Sequence, residues 1–343
     1  MQVSVIGAGV AGLACAVELA ERGVDVQVLD RGEQLGSSSC SWFAGGMLAP
    51  WCELESAEPL IARLGTESIA WWRERLPDTA LNGSLVVAHG RDSGELVNFS
   101  RRTEQFEWLE GEAIAALEPD LRGRFNKALF FAAEGHLDPR AALGALARRL
   151  EERGVPIRFG VAGAMTAPAC WGAPAAQRQV VDCTGLAARG VLSDLRGVKG
   201  EMLLLRLPDI SLSRPVRVLH PRIPLYIVPR GNGLFMVGAT MIESDQETRI
   251  TARSMLELLS AAYALHPAFG EAEIVEIGTG VRPAFPDNLP RIRWYGDTLY
   301  VNGLFRHGFL LAPALARRVA GILLEERYFP EVQDEDPRER RLA

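Results

Sequence analysis

Two groups of residues in this chain have types and spacings that could do chemistry. The first is Gly7-Ala8-Gly9-Val10-Ala11-Gly12, followed at a distance by Asp30. In a G-x-G-x-x-G turn the first glycine permits the bend, the second lets the backbone approach a diphosphate, and the third allows helix and strand to pack closely. A helix opening there presents free N–H groups and a partial positive charge to an anion. An acid ending the next strand can accept hydrogen bonds from ribose hydroxyls. The second group is CSWFAGGMLAPWCELE, residues 40–55. It is too apolar for an ordinary surface loop, so it either fills a core or lines a ligand.

The elements around the first group fit a dinucleotide site. Val3 to Ile6 is an apolar run suited to a buried parallel strand, and Leu13, Val17 and Ala20 then share one helical face until Gly23. Residues 24–30 alternate and finish on Asp30. Strand, glycine turn, helix, strand and acid in this order are what dinucleotide binding requires, although the motif does not separate NAD from FAD. Further along, 57–75 reads as a helix, 140–159 as helix, glycine and strand, 179–185 as a strand, and 298–308 as a strand before a helix at 312–326. Together they predict an open parallel sheet assembled from distant parts of the chain.

Segments of another character lie between: 84–89, 128–134, 200–207, 225–230, 233–241 and 273–283 are β-rich, and Arg230-Gly231-Asn232-Gly233 reads as a hairpin connection. The expected fold class is α/β with an α+β insertion, a Rossmann-like domain plus a mostly antiparallel sheet domain. The first would take 1–80, 137–199 and 285–330, the second 81–136 and 200–284, and 331–343 would be a charged, disordered tail. A ligand would sit in the crevice between them.

Bulk properties narrow the classes. With 343 residues, 48% hydrophobic, 23% charged and a net charge of −6, the chain reads as a soluble two-domain protein without the basic face that nucleic acid requires. Cys15, Cys40, Cys52, Cys170 and Cys183 have neither zinc spacing nor an even count, which predicts reduced, mostly buried thiols and no metal. Neither the N-terminus nor the run 309–324, broken by Arg317 and Arg318, reads as a signal or membrane segment, so a cytoplasmic location is expected. His89, His136, His220 and His266 show no ligand spacing.

The chain resembles the FAD-dependent D-amino acid oxidase family and, within it, the glycine oxidases of thiamine biosynthesis. The likeness runs from the glycine turn through AGGMLAPWCE, VKGEMLLL (198–205), YIVPRGNGLFMVGATM (226–241), GTGVRPAFPDNLP (278–290) and GLFRHGFLLAP (303–313). It implies FAD as cofactor, with Cys40 and Ser41 near its diphosphate and ribityl chain, and Gly45, Gly46 and Met47 beside its ring. Trp42, Phe43 and Trp51 would shield it from water. The implied cofactor set also includes Gly7, Gly9, Val10, Ala11, Gly12, Asp30, Arg31, Val161, Gly185, Gly303, Leu304, Phe305, Arg306, His307, Gly308, Phe309 and Leu310. Arg282 matches the arginine that holds a substrate carboxylate, a role suited to its planar two-pronged donor. Tyr226, Arg306, Met47 and Met241 match further substrate-side residues, though a half-buried strand aromatic explains Tyr226 nearly as well and a methionine is more often simple core filler.

No catalytic side chain is implied, because flavin carries the chemistry and the protein supplies placement. The resemblance implies oxidation of glycine, sarcosine or a small D-amino acid with oxygen, giving an imine and hydrogen peroxide, and a homo-oligomer, a tetramer among relatives. Leu304 and His307 depart from the family's G-H-F-R-N-G, and Pro224 stands where a related enzyme has histidine. A related amine oxidase or dehydrogenase with another electron acceptor, or a binding protein without turnover, stays open.

Overall fold

In the computed structural model, which describes residues 1–161, 178–219, 225–246 and 248–334, the apolar runs become two large sheets. The first has six strands, in the order Arg291–Tyr295, Thr298–Asn302, Arg178–Asp182, Gln2–Ile6, Asp25–Leu29 and Ile157–Arg158. All pairs are parallel except the first, which is antiparallel. Val5 lies level with Val28 on one side and Val181 on the other, and all three are fully buried. Such a strand is apolar on both faces because helices cover both. Those helices are Val10–Glu21, Pro59–Arg75, Pro139–Glu151 and Gly308–Glu325, which share one core with the sheet.

The last helix begins at Gly308, four residues before the expected start, which puts Pro313 in its second turn rather than its first. Proline lacks the N–H that would bond back to Phe309. The freed Phe309 carbonyl accepts instead from Trp72 Nε1 at 2.7 Å, so the defect in one helix docks another.

The second sheet has nine strands. Arg196–Arg206 is flanked along one edge by Glu273–Ala284 and along the other by Leu234–Gly238 and Ile242–Glu243. The sheet continues through Leu225–Pro229, Val216–Leu219, Ser84–Ala88, Lys127–Phe131 and Glu107–Glu110. It is antiparallel except where Val216–Leu219 meets Ser84–Ala88. Arg196–Arg206 runs across the 199/200 boundary drawn from sequence, because its pairing with Glu273–Ala284 already starts at Arg196. The hairpin forms as expected, with Gly231, Asn232 and Gly233 all at positive φ. Of the expected tail, residues 331–334 instead close onto the first sheet: Val332 is buried and its carbonyl accepts from Ile292 N at 2.8 Å. Residues 335–343, Cys170, His220 and Pro224 lie outside the described residues. Among the described residues no helix is long and apolar enough to cross a membrane.

Candidate functional site

The glycine turn connects Gln2–Ile6 to the helix Val10–Glu21. A Cβ on Gly12 would lie 1.8 Å from the Gly7 carbonyl, so helix and turn touch backbone to backbone. Opposite the helix N-terminus stand hydroxyls: Val10 N donates to Ser41 Oγ at 3.2 Å, and Ser39 Oγ lies 2.8 Å from where a Gly9 Cβ would be. These are donors suited to a diphosphate. Asp30 ends the second strand as expected, but its carboxylate is largely engaged. Oδ2 accepts from Ala8 N at 2.6 Å, and Oδ1 from Gly32 N and Ser38 Oγ, both at 2.7 Å. One Oδ2 lone pair is left for a ribose hydroxyl. Val161 N donates to the Asp30 carbonyl, and Arg31 is exposed beside them.

The apolar loop resolves into a short 3-10 turn, Cys40–Phe43, a two-residue strand, Met47–Leu48, paired with Gly135–His136, and a short helix, Pro50–Glu53. Its first half forms one wall of a narrow cleft between the sheets. Val10, Cys40, Ser41, Gly45, Tyr226, Arg282, Phe305, Arg306, Gly308 and Phe309 line it, all of them predicted from sequence. Phe43 lines it as expected, but Trp42 and Trp51 do not. Trp42 stacks under Arg140, 4.9 Å from ring centroid to guanidinium carbon, and Trp51 packs on the cluster around Phe99 and Phe131. Leu304 and Leu310 point into the core of the first lobe, so only their backbone can meet a ligand. Gly303 N donates to the Asn302 side chain, and Gly185 accepts from it, both at 2.9 Å. Gly46 holds Leu137 N through its carbonyl, Met47 is half-buried against Met202 and Tyr226, and Met241 is 54% exposed at the rim.

Arg282 reaches the cleft across the Arg196–Arg206 strand. A Cβ on Gly200 would sit 2.2 Å from Arg282 Nη2, so the guanidinium lies flat on a glycine. Its one hydrogen bond among the described residues is Nη1 to the Thr240 carbonyl at 3.2 Å, and it pairs with no acid there. Burial draws its pKa below the usual value, against the opposing pull of Tyr226 and Cys40. A desolvated cation without a counter-ion suits an anionic ligand.

Arg306 behaves differently from expectation. Its Nε donates to Glu53 Oε2 at 2.9 Å, and the same oxygen takes His307 Nε2 at 2.8 Å, while Glu53 Oε1 takes Arg217 Nη2 at 2.6 Å. Burial alone would raise the Glu53 carboxyl, but Arg306, Arg217 and His307 outweigh it and hold the group well below the ordinary range. The substrate-side arginine is thus already tied, and the His307 departure from the family pattern supplies a third partner for its acid.

Sequence reasoning missed Glu53. It also missed Arg230, read only as a hairpin flank. Arg230 Nη2 donates to the carbonyls of Gly45 at 2.8 Å and Ala44 at 3.0 Å, and Nη1 to Leu137 at 2.9 Å. Burial lowers its pKa to about 10. This clamp fixes the loop wall of the cleft, and its signal was present only as an arginine at a strand end.

Below that wall Glu134 is fully buried, accepting at Oε1 from Trp51 N (2.9 Å) and Cys52 N (2.7 Å) and at Oε2 from Ser84 Oγ. It thereby holds the start of the helix that carries Glu53. Burial pushes its pKa from 4.5 to about 7. A folded-state pKa above the unfolded value means that the folded protein keeps the proton more tightly. The stabilisation is full below pH 4.5 and is lost as pH rises to about 7. Relative to Glu134→Gln, the wild type should lose about 3 kcal/mol across that window and run level above it. Urea denaturation at stepped pH checks this, and parallel curves for the two proteins would exclude it.

A first sheet whose central strand runs into a glycine turn, joined across a cleft to a largely antiparallel sheet, defines a two-lobed protein of the dinucleotide-binding class. This chain belongs to the DAO family of FAD dependent oxidoreductases, which matches residues 2–322, and its cofactor is FAD. A protein of Rhizobium etli, provisionally named thiamine biosynthesis oxidoreductase ThiO, is 57% identical over 96% of this chain and 99% of its own length. A bifunctional ThiO/ThiG protein of Nostoc sp. is 30% identical over 96% of this chain, which spans about half of that protein (53%). The crystal structure of glycine oxidase from Geobacillus kaustophilus covers 95% of each chain with a TM-score of 0.76 at 23% identity, a likeness of fold.

The residues present fit that cofactor. Hydroxyls and helix N–H groups converge at the glycine turn, and His307 Nδ1, buried beside Phe305 and Gly308, has no partner among the described residues.

Proposed function

We propose that this protein oxidises glycine, or an amine of similar size, to the imine with oxygen as electron acceptor, in the thiazole branch of thiamine biosynthesis. The observation that carries the reading is Arg282, a guanidinium lying on Gly200 with no acid partner among the described residues and facing the loop wall of the cleft. The names of the relatives support the substrate class. FAD, when bound, supplies a two-electron acceptor for the hydride on the substrate α-carbon.

The chain's own residues do the placing. Arg282 binds the carboxylate by two parallel hydrogen bonds and so fixes the direction of the α-carbon. The Tyr226 ring lies against Gly45, where a Cβ would be 2.8 Å away, and limits the room beside that carbon. Phe43, Met202 and Phe309 exclude water, while Arg230 keeps the carbonyls of Ala44 and Gly45 in place. On this reading the cofactor lobe spans 1–80, 137–195 and 285–334, and the substrate lobe spans 81–136 and 196–284.

A peroxide assay across glycine, sarcosine, D-alanine and bulky D-amino acids tests the proposal. Turnover should be highest for the smallest substrates, because Tyr226, Met202 and Phe43 leave little space. Equal or better turnover of bulky D-amino acids would overturn it. Reduction of the flavin without peroxide would point to a dehydrogenase.

A further inference from the structure

The segment Lys199-Gly200-Glu201 places a glycine under Arg282 and two opposite charges on the reverse face of the same strand. In-register neighbours alternate: Met202 and Leu204 face Tyr226 and the cleft, whereas Leu203 and Leu205 face the core containing Leu258. Lys199 and Glu201 share the latter face, 3% and 0% exposed at the side chain. A buried ion pair is often no more stable than apolar residues of the same size, so stability does not account for it.

Its hydrogen bonds lead to the anchor. Lys199 Nζ donates to Glu201 Oε1 at 2.7 Å and to Thr248 Oγ1 and the Arg249 carbonyl, both at 2.9 Å, which uses all three of its protons. Glu201 Oε2 accepts from Thr240 Oγ1 at 3.1 Å, and that hydroxyl in turn accepts from Glu201 N at 3.0 Å. Thr240 N donates to the Glu201 carbonyl at 3.2 Å. Thr240 is thus pinned to Glu201 at three points, and its remaining polar group, the carbonyl, receives Arg282 Nη1.

We infer that Lys199, Glu201 and Thr240 form a positioning relay that aims the Arg282 guanidinium and thereby sets the affinity of the cleft for a carboxylate. The inference rests on the reading of Arg282 as the carboxylate anchor. With Nη1 committed to Thr240, the guanidinium cannot rotate freely, and its remaining donors face the cleft as a fixed fork. A shift of the Thr240 carbonyl would turn that fork while leaving every cleft-lining side chain in place.

The test uses the FAD-loaded protein with Thr240→Val, which keeps the branched shape but removes the hydroxyl, and the double variant K199M/E201Q, which removes both charges together and leaves neither buried alone. The readouts are glycine kinetics, bound FAD per chain, and the affinity for acetate, a carboxylate that cannot react, by titration calorimetry. Loss of one well-aimed hydrogen bond should raise the glycine KM and the acetate Kd together by about tenfold, with FAD content unchanged. Thr240→Ser, which restores the hydroxyl, should return both to the wild-type values. Wild-type acetate affinity in either variant overturns the relay, as does a fall in kcat and FAD content without a change in acetate affinity. Unaltered acetate affinity in Arg282→Ala would instead reject the anchor, and absence of glycine turnover in the wild type would reject the substrate, so the failures are separable.

Discussion

Replacing Arg282 with alanine should lower kcat/KM for glycine by roughly 2 to 5 kcal/mol of transition-state binding, a factor of about 30 to several thousand, while FAD stays bound. The size follows from the setting. The guanidinium is desolvated, has no acid partner among the described residues, and lies against a glycine, so truncation leaves a carboxylate facing an uncharged, dry wall. Lysine should recover only part of the loss, since it offers a point charge rather than a planar fork. Gly200→Ala provides a second route to the same effect. Its new Cβ would meet Nη2 at 2.2 Å, and because that nitrogen ends a flexible side chain the fold should survive while the guanidinium moves. Steady-state kinetics with the flavin spectrum of each variant decides the matter. Wild-type kinetics in Arg282→Ala would remove Arg282 from substrate binding.

What could be read in advance was whatever chemistry leaves in a short stretch of chain. The glycine turn declares itself because three backbone constraints fall within six residues, and the apolar loop because its composition is wrong for water. The two sheets were legible for the same reason, as short apolar runs separated by turn residues. The exceptions are informative. The helix expected from 312 starts at Gly308, and the N–H that Pro313 lacks leaves the Phe309 carbonyl free for Trp72, a contact no local pattern records. Arg306 was assigned to the substrate side by resemblance alone, and the partner that ties it, Glu53, stands 253 residues away. Arg230 and Thr240 escaped because their work is done through carbonyl groups, their own or others', and carbonyls have no residue type. Most of the residues that line the cleft were therefore readable, and those that hold another group in place were not.

The same long-range logic makes Glu53 a sensitive position for stability. Its two oxygens hold Arg217, Arg306 and His307, and both Glu53 and Arg217 are buried. Glutamine keeps the shape but removes the charge, and its amide nitrogen must face one of the guanidinium groups, donor against donor. Two cations then share a buried pocket without the acid that justified them. Breaking a buried pair from one side costs about 3 to 5 kcal/mol, so Glu53→Gln should lose that much of its unfolding free energy at neutral pH. The pH dependence has a definite sign. The Glu53 carboxyl is held well below its unfolded value of 4.5, so its contribution is fully present above pH 4.5 and falls away as pH drops through the folded pKa. The gap between wild type and Glu53→Gln should therefore be constant from neutral pH down to about pH 5 and narrow only in stronger acid. This is the opposite trend to that of Glu134, which accepts from Trp51 N and Cys52 N of the same loop. Denaturant titrations of both variants over one pH series separate the two acids, and a gap that widened on acidification would mean that Glu53 does not carry the charge assigned to it.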